Sequence, residues 1–200
     1  TTIPVITLTG DATVTHEAAT AYTDAGADWA DTIDGSATLT ASGTVDVNTV
    51  GTYVLTYDYT DAAGNAAVQV SRTVNVVDTT IPVITLTGDA MVTHEGATAY
   101  TDAGAGWTDT VDGSGTLTAS GTVDVDTVGT YILTYDYTDA AGNAAVQVSR
   151  TVNVVDTTIP VITLTGEETV THEAATAYTD AGADWTDTVD GSGTLTASGI

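Results

Sequence analysis

Residues 51–78 read Gly51-Thr-Tyr-Val-Leu-Thr-Tyr-Asp-Tyr-Thr60-Asp-Ala-Ala-Gly-Asn65-Ala-Ala-Val-Gln-Val70-Ser-Arg72-Thr-Val-Asn-Val-Val-Asp78. A period of two runs through both halves. Tyr53, Leu55, Tyr57 and Tyr59 share one face, with Val54, Thr56 and Asp58 on the other. Val68, Val70, Val74 and Val76 alternate with Gln69, Ser71, Thr73 and Asn75. Alternation of this kind marks half-buried strands, and Asp61-Ala-Ala-Gly-Asn65 between them reads as a hairpin turn. Arg72 shares the parity of Val70 and Val74, so it is expected to point inward or to a sheet margin beside Tyr53 or Leu55, paired to a carboxylate or stacked on tyrosine.

Working outward, the whole unit reads as all-β. Residues 5–9 and 13–16 are short strands around a Gly10-Asp11 turn. Residues 24–36 are rich in Asp, Gly and Ala and are expected to form a long loop carrying Trp29. Residues 38–47 alternate again. About seven short strands in such a unit is the pattern of a small immunoglobulin-like sandwich. Gly51-Thr-Tyr53 stands where a tyrosine corner would, and Leu55 takes the place of the second cysteine. With Trp29 off any central strand and no cysteine present, an antibody-type Cys-Trp-Cys core is not expected.

The unit recurs. Residues 1–78 return as residues 79–156 with eight differences: Thr13/Met91, Ala18/Gly96, Asp28/Gly106, Ala30/Thr108, Ile33/Val111, Ala37/Gly115, Asn48/Asp126 and Val54/Ile132. A third copy starts at Thr157 and runs to Ile200. A period of this length suits a linear array of small domains better than a solenoid. The expected architecture is all-β: tandem Ig-like sandwiches in a linear array, with domains at 1–77, 78–155 and 156–200 and the third copy truncated. Without its last two strands, that third copy is expected to leave an apolar face uncovered and to be unstable alone. Beginning at Thr1 rather than methionine, the sequence reads as a piece of something longer.

Composition restricts the chemistry. The 200 residues hold 27 acids, two arginines, no lysine and no cysteine, for a formal charge of -25. Such a chain has nothing to neutralise phosphates, which excludes nucleic acid, and anionic membranes are disfavoured for the same reason. Disulfides, thiolate metal sites, Schiff bases and lysine–asparagine crosslinks are all excluded. Yet 42% hydrophobic content argues against disorder. No stretch is apolar for long enough to be a membrane helix, and no signal peptide is visible.

Several motifs together resemble a known family: Asp-Thr-Thr-Ile-Pro-Val-Ile-Thr-Leu-Thr-Gly at 78–88, Tyr-Thr-Asp-Ala-Gly-Ala at 22–27, and Asp34-Gly35. Gly-Thr-Tyr-Val-Leu-Thr-Tyr at 51–57, Asp-Ala-Ala-Gly-Asn at 61–65 and Arg-Thr-Val-Asn-Val-Val-Asp at 72–78 complete the series. The chain is similar to the bacterial Ig-like domain first noted in insecticidal crystal toxins and related to hyaline-repeat modules. The resemblance implies tandem modules of large bacterial surface proteins and adhesins, or accessory modules of secreted enzymes. Where the family often has a further acid after the glycine, this chain has Ser36.

If Gly10-Asp11 returns the chain towards its start, Glu17, Asp24, Asp31, Asp34, Asp61 and Asn65 crowd the pole where the chain enters the domain. In the second copy that pole holds Glu95, Asp102, Asp109, Asp112, Asp139 and Asn143, joined by the linker residue Asp78. Carboxylates so placed repel unless a cation joins them, and hard oxygen donors from several loops suit Ca²⁺. The expected ligands are Glu17, Asp24, Asp34 and Asp61 in the first copy, and Asp78, Glu95, Asp102, Asp112, Asp139 and Asn143 in the second. Asp156, Glu173, Asp180 and Asp190 are their counterparts in the third.

No contiguous EF-hand pattern is present. His16, His94 and His172 come one per copy, too few for zinc, and no serine lies in a nucleophile-elbow sequence. No enzyme is therefore expected. The chain reads as an extracellular or cell-surface stalk with Ca²⁺ at its domain junctions, whose partners are its neighbouring repeats, with any host glycan or protein bound by other domains. The alternatives are a glycan- or protein-binding module using Trp29, Trp107 and Trp185 as ligand contacts, and an accessory region of a secreted hydrolase or toxin.

Overall fold

The computed structural model describes residues 2–199. Among them no residue is helical. The first repeat contains six strands, β1 (Val5–Leu8), β2 (Thr13–Glu17), β3 (Ala27–Asp31), β4 (Gly35–Leu39), β5 (Gly51–Tyr57) and β6 (Val70–Val77). They form two three-stranded sheets, β1-β3-β4 and β2-β6-β5. The second repeat follows the same plan with β7 (Val83–Leu86), β8 (Met91–Glu95), β9 (Ala105–Asp109), β10 (Gly113–Leu117), β11 (Gly129–Tyr135) and β12 (Val148–Val155). The third has only β13 (Val161–Leu164), β14 (Ala183–Asp187) and β15 (Gly191–Leu195), in one sheet. By packing, the residues fall into two compact units. One runs up to Val83 and includes Trp107–Gly115 and Tyr137–Val146; the other comprises Ile84–Gly106, Thr116–Asp136 and the chain from Gln147 on.

The tyrosine-rich and valine-rich strands pair antiparallel, with Tyr53 opposite Val74, Leu55 opposite Arg72 and Tyr57 opposite Val70. Leu55, Val74 and Val76 are buried together with Ala18, while Tyr57 joins Ile6 and Ala27. Each fully buried valine contributes about 1.5–3 kcal/mol of apolar burial. The tyrosine corner forms: the Tyr53 hydroxyl donates to the Thr49 carbonyl at 2.8 Å, and Tyr131 to Thr127 at 2.7 Å.

Three expectations need correction. Gly10-Asp11 does not return the chain. It carries the first strand from one sheet to the other, and β2 then runs parallel to β6, with Glu17 beside Val77. Period-two patterning identifies strands but not their partners, so a sheet switch and a hairpin read alike. Secondly, the expected loop at 24–36 contains β3, the central strand of its sheet, and Trp29 lies on it between Ile6 and Ala37. Two flanking strands hold this polar segment extended despite its weak propensity. Thirdly, residues 38–47 are not one strand: β4 ends at Leu39, and only a Ser42–Thr56 bridge follows. Six strands therefore replace the expected seven.

The third repeat differs from the other two among the described residues. Ile162 is 62% exposed, whereas its counterparts Ile6 and Ile84 are 7% and 8% exposed. Residues 169–173, which correspond to β2 and β8, form no strand, and among the described residues no β6-type strand lies beside them.

Candidate functional site

The corrected path of β2 rearranges the acids. Asp31, Asp34, Asp61 and Asn65 gather at the end where the chain enters the first repeat and, with Thr2 and Ile33, line one cleft. Glu17 lies at the opposite end, where β6 leaves. Its two carboxylate oxygens accept from the Thr79 amide (2.9 Å) and hydroxyl (2.7 Å). These bonds hold its carboxyl below the ordinary value. Glu95 holds Thr157 in the same way. These two glutamates are latches on the linkers rather than members of the expected pole. Glu173, in the unpaired segment of the third repeat, is exposed.

Asp24 and Asp102 are also elsewhere. Arg72 is fully buried, and its guanidinium pairs with Asp24, donates to the Tyr57 hydroxyl at 3.1 Å and binds the carbonyls of Asp11, Thr9 and Gly26. The arginine thus fastens the sheet switch to the sandwich. Arg150 repeats the arrangement with Asp102, Tyr135, Asp89, Thr87 and Gly104. Burial raises the Asp24 carboxyl, but hydrogen bonds from Tyr57, Arg72 and Gly26 outweigh it and leave the group lowered. Burial and Asp24 push the Tyr57 phenol up to about 12.

The linker aspartate makes the site. Asp78 is 7% exposed; its Oδ1 accepts from the Thr80 amide (3.1 Å) and hydroxyl (2.7 Å). Its Oδ2 is buried and has no hydrogen-bond partner. Carboxylate oxygens of Asp78, Asp112 and Asp139 lie within 4.8 Å of one another. Each pair of charges at that spacing repels by about 1–4 kcal/mol, between the bulk-water and near-surface limits. Neither arginine of the chain is available to offset this, since both are paired inside their sandwiches.

Neighbouring groups hold the triad in place. The Asn143 side-chain amide donates to the Asp78 carbonyl (3.1 Å) and to Asp139 Oδ2 (2.8 Å), while the Ala140 amide donates to Asp112 Oδ2 (2.9 Å). Burial raises the Asp139 carboxyl, but bonds from Asn143 and nearby backbone amides leave it below the ordinary value, hence ionised. Asp109 adds a second orphan: Oδ1 accepts from the amides of Val111 and Asp112, and Oδ2 is buried without a partner. Asp31 has the same orphan oxygen in the first repeat.

In the second unit the carboxylate oxygens of Asp156, Asp187 and Asp190 likewise lie within 4.8 Å of one another. Asp180 is not part of this group; it is exposed and accepts from the Gly182 amide. By sequence, Asp109 is placed at the pole without being counted a ligand, and Asp187 is not singled out. The Asp-x-x-Asp-Gly turn, in which the first aspartate caps the turn amides, is the signal that marks them.

The other candidates have local roles. Trp29 stacks on Tyr59 (centroids 3.8 Å apart, planes at 14°) and Trp107 on Tyr137 (3.9 Å, 16°), so each indole has one face covered within its own repeat. Trp185 is partly buried on β14. His16 and His94 contact a threonine four residues on and lie edge-on to Tyr22 and Tyr100.

The chain is similar to several known proteins. Hyalin of Lytechinus variegatus is 38% identical over 129 residues, which is 60% of this chain and 24% of hyalin, so the chain spans about a quarter of that relative. A lipoprotein of Bacteroides thetaiotaomicron of known crystal structure is 28% identical over 39% of each chain, with a TM-score of 0.33. The family described as bacterial surface protein, Ig-like domain, matches residues 6–76 and again 84–154. With two full copies of that domain in its six-strand repeats, the chain belongs to the bacterial surface protein Ig-like domain family.

Proposed function

We propose that these repeats are non-catalytic spacers of a secreted or cell-surface bacterial protein, an adhesin stalk, stiffened by Ca²⁺ where one repeat passes into the next. The observation that carries the cation is the buried, unpartnered Oδ2 of Asp78 beside Asp112 and Asp139. Two ligands on opposite sides of one Ca²⁺ at about 2.4 Å stand about 4.8 Å apart, so oxygens at this spacing share one coordination sphere. Donors that are all oxygen, with no thiolate or imidazole among them, favour a hard cation. Asp78, Asp112 and Asp139 would hold it, with Asp109 Oδ2 as a fourth donor and water completing the six to eight oxygens Ca²⁺ takes. Glu17 and Asn143 act by fixing the linker, not by ligation.

The mechanism is mechanical. Proline in each Asp-Thr-Thr-Ile-Pro linker fixes its own φ and restricts the residue before it. The glutamate latch and a bound cation remove further freedom, so the array projects whatever it carries away from the cell. Isothermal calcium titration of the chelator-treated chain, alongside Asp78→Asn, tests this reading. Heat of binding that falls in the variant, where the Asp156 triad remains, supports it. No binding at millimolar calcium contradicts it.

A further inference from the structure

The turn that carries two of the acids in each repeat also carries a branched apolar residue. Asp31, Asp109 and Asp187 each accept, through Oδ1, the amide two residues on, at 2.7, 2.7 and 2.8 Å. Those amides belong to Ile33, Val111 and Val189. Val111 packs against the buried cluster of Ala18, Leu55, Val74 and Val76 in the first repeat. It falls in the same compact unit as that cluster, although by sequence it belongs to the second repeat.

The seat is built alike at both junctions. Ala18 donates its amide to the Val77 carbonyl (2.7 Å) and Ala19 to the Val47 carbonyl (2.8 Å). Gly96 and Ala97 do the same to Val155 (2.7 Å) and Val125 (2.8 Å). These bonds hold Ala19 and Ala97 at φ 56° and 52°, in the left-handed region that only glycine adopts freely. At the second junction a Cβ on Gly96 would stand 2.9 Å from Val189 Cγ2, 3.3 Å from the Val155 carbonyl oxygen and 3.4 Å from that of Val125. Val189 thus sits over Gly96 more closely than an alanine there would allow without a shift. The Ala18/Gly96 difference between the copies therefore sets how deeply the side chain seats.

We propose that Val111 and Val189 are plugs that seat in the end of the preceding repeat and couple the stabilities of neighbouring repeats without a cation. The surface around Ala18 or Gly96 fits one kind of partner, a small branched side chain on an Asp-x-Val-Asp-Gly turn whose backbone an aspartate already holds. In a linear array each repeat's stability then includes a nearest-neighbour contribution, here the burial of one valine. Apolar contact is not weakened by salt or by the like charges around it, so it draws the repeats together where their carboxylates repel. The same turns bear Asp112 and Asp190, so a bound cation would act on the residue next to the plug, but the plug does not need one.

Amide hydrogen exchange of the 200-residue chain in chelator tests this, and a chain that binds no calcium would still show it. Val111→Ser should speed exchange at Ala18 and Ala19, in the repeat before the substitution, by about five- to tenfold, the effect of losing the partial burial of one valine. Ile33→Ser changes the same turn position where the side chain is 77% exposed, and should leave those amides within about twofold. Val111→Ile, which keeps a branched apolar side chain, should also stay within about twofold. Unchanged exchange at Ala18 and Ala19 in Val111→Ser, or acceleration confined to the second repeat, overturns the proposal. So does an effect of Ile33→Ser or Val111→Ile as large as that of Val111→Ser.

Discussion

At the scale of the residue, Arg72 faces inward from the valine-rich strand, one of the two orientations its sequence parity left open, and Arg150 does the same. Their partners were less legible, because Asp24 and Asp102 looked like surface acids in an acidic loop. Removing one partner of a buried pair leaves an uncompensated charge, so Arg72→Met or Arg150→Met should destabilise its repeat by about 3–5 kcal/mol, measured by urea unfolding. Tyr57→Phe should be milder, about 1–3 kcal/mol, as one donor to Asp24 is lost. The acid limb follows from the same pair. The folded carboxyl of Asp24 is lowered, so its contribution is fully present above the unfolded value near 3.9 and is lost as pH falls through the lower folded value. Thermal scans should therefore show little change between about pH 7 and 5 from this group and a fall below about pH 4. That fall should be shallower in Arg72→Met.

At the scale of the element, the tyrosine and valine strands were readable because their apolar residues alternate without interruption. The tyrosine corner followed from Gly51-Thr-Tyr53 alone. β3 was not readable: Ala27 and Trp29 face inward, but Asp28 and Asp31 make the segment look like a loop, and it is held by neighbours distant in sequence. The sheet switch at Gly10-Asp11 was equally hidden, and it explains why Glu17 was assigned to the wrong end of the domain. What the sequence did place correctly is the group Asp34, Asp61 and Asn65, with Asp112, Asp139 and Asn143 in the second copy, because hairpin ends follow from strand direction. Reassigning Glu17 as a latch gives its own prediction. Glu17→Ala should speed amide exchange at Thr79 while leaving global stability within about 0.5 kcal/mol, as for other surface changes. Exchange at Thr79 unaltered by the substitution would show that the latch is idle.

At the scale of the whole molecule, a charge of -25 on 200 residues becomes informative once located. Several of its carboxylates are paired or capped locally: Asp24 and Asp102 by arginine, Glu17 and Glu95 by linker threonines, Asp31 and Asp109 in part by turn amides. Among the described residues, the triads Asp78–Asp112–Asp139 and Asp156–Asp187–Asp190 bring carboxylate oxygens within 4.8 Å of one another with no arginine beside them. Under the proposed function, calcium at these points would tie the linker aspartate of one repeat to the loops of the next. Extracellular calcium modules bind with dissociation constants of about 10⁻⁴–10⁻³ M. At 10 mM calcium, mass action then stabilises each occupied site by about 1.4–2.7 kcal/mol. For domains of this size that raises the melting temperature by about 5 °C or more. The decisive measurement is calorimetric melting of the chelator-treated chain with and without 10 mM CaCl₂, alongside Asp78→Asn. The predicted result is a rise of that size in the wild type and a smaller one in the variant, where only the Asp156 triad remains; melting temperatures that calcium leaves unchanged in both would contradict it.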